Sequence, residues 1–125
     1  MTGEGNDTPR DTPPALPFSP YTQVDGWVFV SGQVALDPET GAIVAGDVTA
    51  QVERAFDRLF AVLRSAGKDP RNVVKVTVFL TDMEDYPSMN AVYARRFEAP
   101  YPARSAIAVK ALPLGARVEI ECVAR

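Results

Sequence analysis

Three short stretches of this chain place polar groups beside small residues or beside one another. The first is Pro102-Ala103-Arg104-Ser105, at the entry to a strand-like run whose inward partners, Ala106 and Ala108, are small. An arginine followed by small side chains leaves a concavity with a planar guanidinium at its end, and such a fork binds a carboxylate through two parallel hydrogen bonds. An arginine at this place equally fits a weak surface ion pair. The second stretch holds Glu119 and Glu121, which stand two apart on a strand and so share a face; a solvated strand face gives the same pattern. The third is Ser19-Pro20-Tyr21, ahead of Ser31-Gly32-Gln33. Tyr21 offers a phenol donor on a turn, and Gly32 would let a ligand approach backbone N–H groups closely. Turn chemistry and a β-bulge account for the same residues.

What is missing narrows the chemistry. The chain has no histidine and one cysteine, Cys122. The commonest general base, the commonest metal ligand and every His-dependent triad are therefore excluded, as are an intrachain disulfide and a cysteine-cluster zinc site. Any catalysis must use Arg, Glu, Asp, Lys, Tyr, Ser, backbone groups and water. No phosphate loop, dinucleotide fingerprint or metal-ligand spacing is present, and no metal or cofactor is expected. The net charge of −3 offers nothing broadly attractive to nucleic acid or an anionic membrane.

The elements that must position these groups follow from periodicity. At 125 residues, 46% of them hydrophobic, the chain is expected to form one domain over residues 17–125 behind a flexible tail over 1–16. That tail is rich in Pro, Thr, Asp and Gly and lacks the features of a signal peptide, and no apolar run reaches membrane-spanning length, so the expected location is cytoplasmic. Trp27 to Gln33 reads as a strand, Asp37 to Gly41 as a turn, and Ala42 to Val44 as a short strand pairing back as a hairpin. Val48, Val52, Ala55, Phe56, Leu59, Phe60 and Leu63 recur at helical spacing, with Asp47 or Thr49 as cap and Gly67 as stop. Val73 to Thr81 is the clearest strand. A second helix begins near Tyr86-Pro87, with Met89, Val92, Tyr93 and Phe97 as its buried stripe. Two final strands, Ala103 to Val109 and Val118 to Val123, flank a turn at Leu112 to Gly115.

The expected order is β-β-α-β-α-β-β, an α+β fold whose mixed β-sheet carries both helices on one face. If the last two strands pair so that Val109 opposes Val118, then Ile107 opposes Ile120, the apolar faces coincide, and Arg104 comes to the face shared with Glu119 and Glu121. Both faces of the sheet carry apolar residues: Val73, Thr77 and Phe79 oppose Val74, Val76, Val78 and Leu80, and Trp27 and Phe29 oppose Val28 and Val30. Two helices cover only one face, so the other is expected to pack against a second subunit, with loops or partial exposure as the alternative.

Taken in order, these segments resemble the RidA/YjgF family of reactive-intermediate deaminases. The matching pieces are Ser19-Pro20-Tyr21, Val28 to Gln33, Asp37 to Gly41, Val73 to Asp82, Met89-Asn90-Ala91-Val92-Tyr93, Pro102 to Ser105 and Gly115 to Ala124. Each is weak alone; seven in order over residues 17–124 are specific. The resemblance implies a chorismate-mutase-like fold assembled as a homotrimer with three clefts between subunits. It also implies hydrolysis of 2-aminoacrylate-derived and 2-iminobutanoate-type intermediates to 2-keto acids and ammonia. By match to the motifs, Arg104 takes the substrate carboxylate and Glu119 falls at the glutamate associated with the attacking water. Tyr21, Ser31, Gly32 and Asn90 fall at positions lining the cleft. The sequence departs from many relatives at Ala106, where they carry Cys, and at Ser19, where they carry Gly; both bear on pocket shape.

On that reading Arg104 and the cleft fix a planar imine, Glu119 accepts a proton from the attacking water, and Tyr21 or a backbone N–H serves the departing ammonia. Two other readings stay open: a pathway enzyme acting on a larger imine, for which Ala106 enlarges the pocket, and a non-enzymatic binding or chaperone-like trimer. RNA cleavage is disfavoured by the charge and the missing histidine.

Overall fold

The computed structural model describes residues 16–125. The expected tail over 1–16 lies, apart from Leu16, outside the described residues. Among those described, no helix is long and apolar enough to cross a membrane.

The longest helix, α1 (Val48–Ser65), forms where the apolar spacing requires it. Asp47 caps it by accepting from the Ala50 amide at 3.0 Å. All seven residues of the expected stripe are buried. Gly67, at φ +79°, ends it, as its place after the last apolar turn predicts. The shorter α2 (Tyr86–Arg96) has Pro87 in its first turn and buries Met89, Val92 and Tyr93, with Phe97 just beyond its end. The helices meet through rings. Phe56 and Phe60 of α1 pack on Tyr93 and Phe97, with centroid separations from 4.9 to 5.8 Å across the cluster. Glu53 of α1 accepts from both Arg95 and Arg96 of α2, and Arg96 also reaches Asp57 at 2.6 Å.

The five strands of the main sheet are β1 (Tyr21–Val24), β2 (Trp27–Gln33), β5 (Val73–Leu80), β6 (Ala103–Ala108) and β7 (Val118–Ala124), in the order β1-β2-β7-β5-β6. A separate ribbon pairs β3 (Leu36–Asp37) with β4 (Ala42–Ile43). The result is an α+β fold with a mixed sheet, in which only β5 and β6, joined through α2, run parallel.

Three expectations are corrected. The strand β1 was not anticipated: it folds back on β2 through Asp25 and Gly26, at φ +51° and +82°, the paired positive dihedrals that a tight hairpin turn requires. The short strand after Gly41 pairs with β3 and not with Trp27–Gln33, so four strands precede α1 where two were expected. Most consequentially, the last two strands do not pair. The central β5 lies between them, parallel to β6 and antiparallel to β7.

That interposition sets the faces. Arg104 is level with Val76, which is level with Cys122; Ala106, Val78 and Ile120 form the next row. Directly paired residues share a face, and here it is the buried one, under the helices. Ile107, Phe79 and Glu119 form a row on the opposite face, where Val24, Trp27, Phe29 and Ile107 are all exposed. Within one chain Arg104 and Glu119 therefore stand on opposite faces, contrary to the shared face that pairing β6 with β7 implies.

The ring cluster makes Phe56 the residue on which the union of the helices most depends, since it is fully buried and touches three other rings. Phe56→Ala is expected to cost about 3–5 kcal/mol, the range for deleting a buried aromatic side chain. A urea unfolding curve, read by its midpoint, checks it.

Candidate functional site

Arg104 lies on the edge strand β6, half-buried, with its guanidinium over α2. Its Nη1 donates to Asn90 Oδ1 and its Nη2 to Tyr86 Oη, both at 2.7 Å. The guanidinium carbon stands 4.6 Å from the Tyr93 ring centroid and 5.5 Å from that of Tyr86. A cation between two ring faces gains from their negative quadrupoles, and the two hydrogen bonds fix its rotation. Tyr86, Met89, Asn90 and Tyr93 come from one stripe of α2, at i, i+3, i+4 and i+7.

The start of α2 is itself anchored. Asp85, 7% exposed, takes a bidentate pair from Arg117 at 2.7 and 3.2 Å. The Arg117 amide donates to Gln51 Oε1 of α1. One buried carboxylate thus ties the first turn of α2, which carries Tyr86, to the chain entering β7, two residues before Glu119.

Glu119 sits in a different setting. Burial pushes its carboxyl above the ordinary glutamate value, and the nearby Glu121 charge adds to the effect. Among the described residues it has no hydrogen-bond or ion-pair partner. The β2–β7 register shifts between Val30 and Gln33, and the irregularity brings Gly32 against this carboxylate. A Cβ at Gly32 would collide with Glu119 Oε2. Glycine is needed there to leave room for the glutamate, a closer reason than the backbone access expected from sequence.

The remaining expected residues, Tyr21 apart, divide between these two places. Asn90 is with Arg104, and Ala106, half-buried, packs against the core beside Val78. Ser31 Oγ donates to the Ser19 carbonyl at 2.6 Å, on the side of Gly32 and Glu119. Tyr21, paired with Val30, belongs to the outermost strand at the far edge from β6, its hydroxyl 3.5 Å from the Ser65 carbonyl. One chain therefore holds an Arg104–Asn90–Ala106 half and a Ser31–Gly32–Glu119 half that do not converge, and Tyr21, on the helix-covered face at the far edge, stands with neither.

Sequence reasoning placed Tyr86 only as the start of a helix and Tyr93 only in a core stripe. The signal that finds them is the helical spacing they share with Asn90, which puts three polar side chains on the face turned to the sheet. Tyr93 is 5% exposed, and its hydroxyl has no hydrogen-bond partner among the described residues. Burial raises its pKa, partly offset by the Arg104 charge. The lone thiol of Cys122 is pushed up to about 12 by burial and, secondarily, by Glu121, which leaves it protonated and unfit as a nucleophile at neutral pH. Among the described residues no three His, Cys, Asp or Glu side chains gather as a metal ion would need.

The family described as endoribonuclease L-PSP matches residues 9–125. The chain belongs to this family, the RidA/YjgF family. It is 46% identical over 108 residues to the 2-iminobutanoate/2-iminopropanoate deaminase of Mus musculus, covering 86% of this chain and 80% of that one. It is 42% identical to the protein of the same name from Homo sapiens over 86% of this chain and 79% of that one. Among solved structures, RidA from the Antarctic bacterium Psychrobacter superposes with a TM-score of 0.83 at 39% identity, over 91% of this chain and 93% of the other. E. coli TdcF, solved with bound serine, superposes with a TM-score of 0.80 at 35% identity, over 86% and 87% of the two chains. The RidA-type domain with its mixed sheet and two helices is thus common to all of them.

The raised pKa of Glu119 has a consequence for stability. A carboxyl whose folded pKa exceeds its unfolded value stabilises the fold fully below the unfolded pKa, and that contribution is lost as pH rises through the folded one. Charged Glu119 therefore works against folding at neutral pH. Glu119→Gln is expected to be at least as resistant to urea as the wild type at neutral pH, with the difference closing below about pH 4.3, the ordinary glutamate value. Paired unfolding curves at the two pH values check it.

Proposed function

We propose that this RidA/YjgF chain is a cofactor-independent hydrolase that deaminates 2-imino acids of the 2-aminoacrylate/2-iminopropanoate and 2-iminobutanoate type, giving 2-keto acids and ammonia. The observation that carries the reading is the guanidinium of Arg104, held in place by Asn90, Tyr86 and Tyr93 at the sheet edge. A planar cation fixed on one side and open on the other suits a small carboxylate. The deaminase names of relatives at 42–46% identity point to the same substrate class.

The active unit in this reading is a homotrimer of chorismate-mutase-like form, its three clefts lying between subunits. Two features support it. The open face of the sheet presents Val24, Trp27, Phe29 and Ile107 to solvent in the single chain, an apolar area of the kind that marks an interface. The two halves of the candidate site also stand on opposite faces, so a second copy is required to bring Arg104 of one subunit to Glu119 of the next.

In the assembled cleft Arg104 and Asn90 bind the carboxylate and the walls fix the plane of the imine. Glu119 holds a water, accepts its first proton as oxygen bonds to the carbon of the protonated imine, and passes that proton to nitrogen; it then takes the remaining hydroxyl proton as the carbonyl forms and the C–N bond breaks, releasing ammonia. Its raised pKa suits these transfers. Tyr21, or a backbone N–H near Ser31 and Gly32, donates to the tetrahedral intermediate or the departing ammonia. Ala106 offers only a methyl beside Val78, which leaves room for imines larger than the two named. RNA cleavage is disfavoured by the net charge of −3, the absence of histidine and the acidic pair Glu119 and Glu121. In this reading the site of action is the cytoplasm.

Light scattering is expected to return three times the 13.5 kDa of one chain at micromolar concentration; a monomer mass would contradict the assembled cleft. With imines generated by an amino-acid oxidase, Arg104→Lys should lose about 2–4 kcal/mol of substrate binding, since it keeps the charge but not the fork. Glu119→Gln should lower turnover by roughly 10²- to 10⁴-fold with little change in apparent affinity. Near-wild-type turnover by a folded Glu119→Gln oligomer would place water activation elsewhere.

A further inference from the structure

The hydrogen bonds around Arg104 have a direction that says what the site lacks. Arginine only donates, so the bonds at 2.7 Å turn the Asn90 carbonyl oxygen and the Tyr86 phenol oxygen toward the guanidinium as acceptors. That fixes the rest of each group. The Asn90 amide keeps two N–H donors. The Tyr86 oxygen, already accepting, keeps its own O–H, and among the described residues that proton has no acceptor. Arg104 keeps a second N–H on Nη2, whereas that on Nη1 is turned to Met89 Sδ at 3.9 Å. What the cluster still has to offer are N–H and O–H donors on Asn90, Tyr86 and Arg104 Nη2, an array that suits an anion.

We propose that Tyr86 is a third member of the carboxylate clamp: its phenol accepts from Arg104 Nη2 and donates its own proton to the carboxylate that Arg104 binds. This deepens the deaminase reading and rests on it, because it assigns a substrate contact to a residue outside the expected set. The 2.7 Å between Arg104 Nη2 and Tyr86 Oη places two donors where one carboxylate oxygen accepts from both, or where its two oxygens take one each. Tyr86 is half-buried at the first position of α2, and the Asp85–Arg117 pair holds that turn in place, so its hydroxyl meets a ligand already oriented. The cluster then reads the negative charge, whereas the size and shape of the imine are left to the opposite wall of the cleft.

The test uses the stable product as probe. Binding of 2-ketobutanoate, and of the uncharged ketone 2-butanone, is measured by calorimetry or ligand-observed NMR on wild type, Tyr86→Phe, Arg104→Lys and the double variant, each first shown to keep the wild-type mass and melting behaviour. Tyr86→Phe is expected to bind the keto acid about tenfold more weakly, as loss of one hydrogen bond to a charged group predicts, with ketone binding unchanged. KM for the imino acid should rise by a similar factor while kcat stays within about twofold. Because the donation is direct, the loss should persist when Tyr86→Phe is added to Arg104→Lys. Unchanged keto-acid binding by Tyr86→Phe, beside weakened binding by Arg104→Lys, would overturn the role of Tyr86 and leave the functional reading standing. So would a loss that vanishes in the Arg104→Lys background, since Tyr86 would then act only by orienting the fork. A wild-type protein that bound no 2-keto acid would overturn the functional reading and this role with it.

Discussion

Neighbouring residues on a strand stand on opposite faces of the sheet, and the central strand β5 imposes that alternation on both its partners. Val76 aligns Arg104 with Cys122, and Phe79 aligns Ile107 with Glu119. Nothing local to β6 or β7 can change this assignment without slipping a whole strand and turning the core outward. From it follow the dry face under the helices, the unclosed apolar face opposite, and the division of Arg104 and Glu119 between places that do not meet within one chain.

The helices serve the site through a short chain of causes. A guanidinium partly withdrawn from water needs acceptors and polarisable faces around it. The structure supplies both from α2, through Tyr86, Asn90 and Tyr93. What holds α2 at the right height is apolar: Phe56 and Phe60 of α1 against Tyr93 and Phe97. What holds its first turn is ionic: Asp85 on Arg117. The tyrosine that packs in the core is therefore also the platform for the cation, and core packing and the placing of Arg104 share one helix stripe. Glu119 shows the opposite design, a carboxylate kept short of partners and given space by a glycine. Such a group is poorly stabilised as an anion and correspondingly ready to take a proton.

The parts of this arrangement that sequence made legible are those set by local periodicity. The stripe of α1 and the alternation of β5 follow from spacings of three, four and two, and the start of α2 at Tyr86-Pro87 from the fitness of proline for a first helical turn. The types of the candidate residues were equally plain, because a chain without histidine has few of them. Legibility failed where distant segments choose their neighbours. The segment between Ala108 and Val118 resembles a hairpin connection, yet it only has to step over one strand, about 10 Å, and the sequence holds no local record that β5 lies beneath it. The face of Arg104 was misjudged for that reason alone. The strand β1 was missed because an edge strand with Thr22 and Gln23 facing water lacks an apolar pattern; its one local mark was the Asp25-Gly26 turn. Tyr86 and Tyr93 were hidden by their usefulness to the core.

The central claim is that each cleft takes Arg104 from one subunit and Glu119 from another. Subunit mixing tests it most directly. Arg104→Lys and Glu119→Gln proteins, each impaired alone, are unfolded together in equal amounts, refolded, and assayed with enzymatically generated 2-iminobutanoate. In random cyclic assemblies about a quarter of the clefts would combine an intact Arg104 with an intact Glu119 from the neighbouring chain, so activity should rise to about a quarter of the wild-type value. If both residues of a cleft came from the same subunit, no mixed assembly would contain an intact pair. Activity that stayed at the average of the two parents, in a sample shown by mass to have exchanged its subunits, would contradict the account.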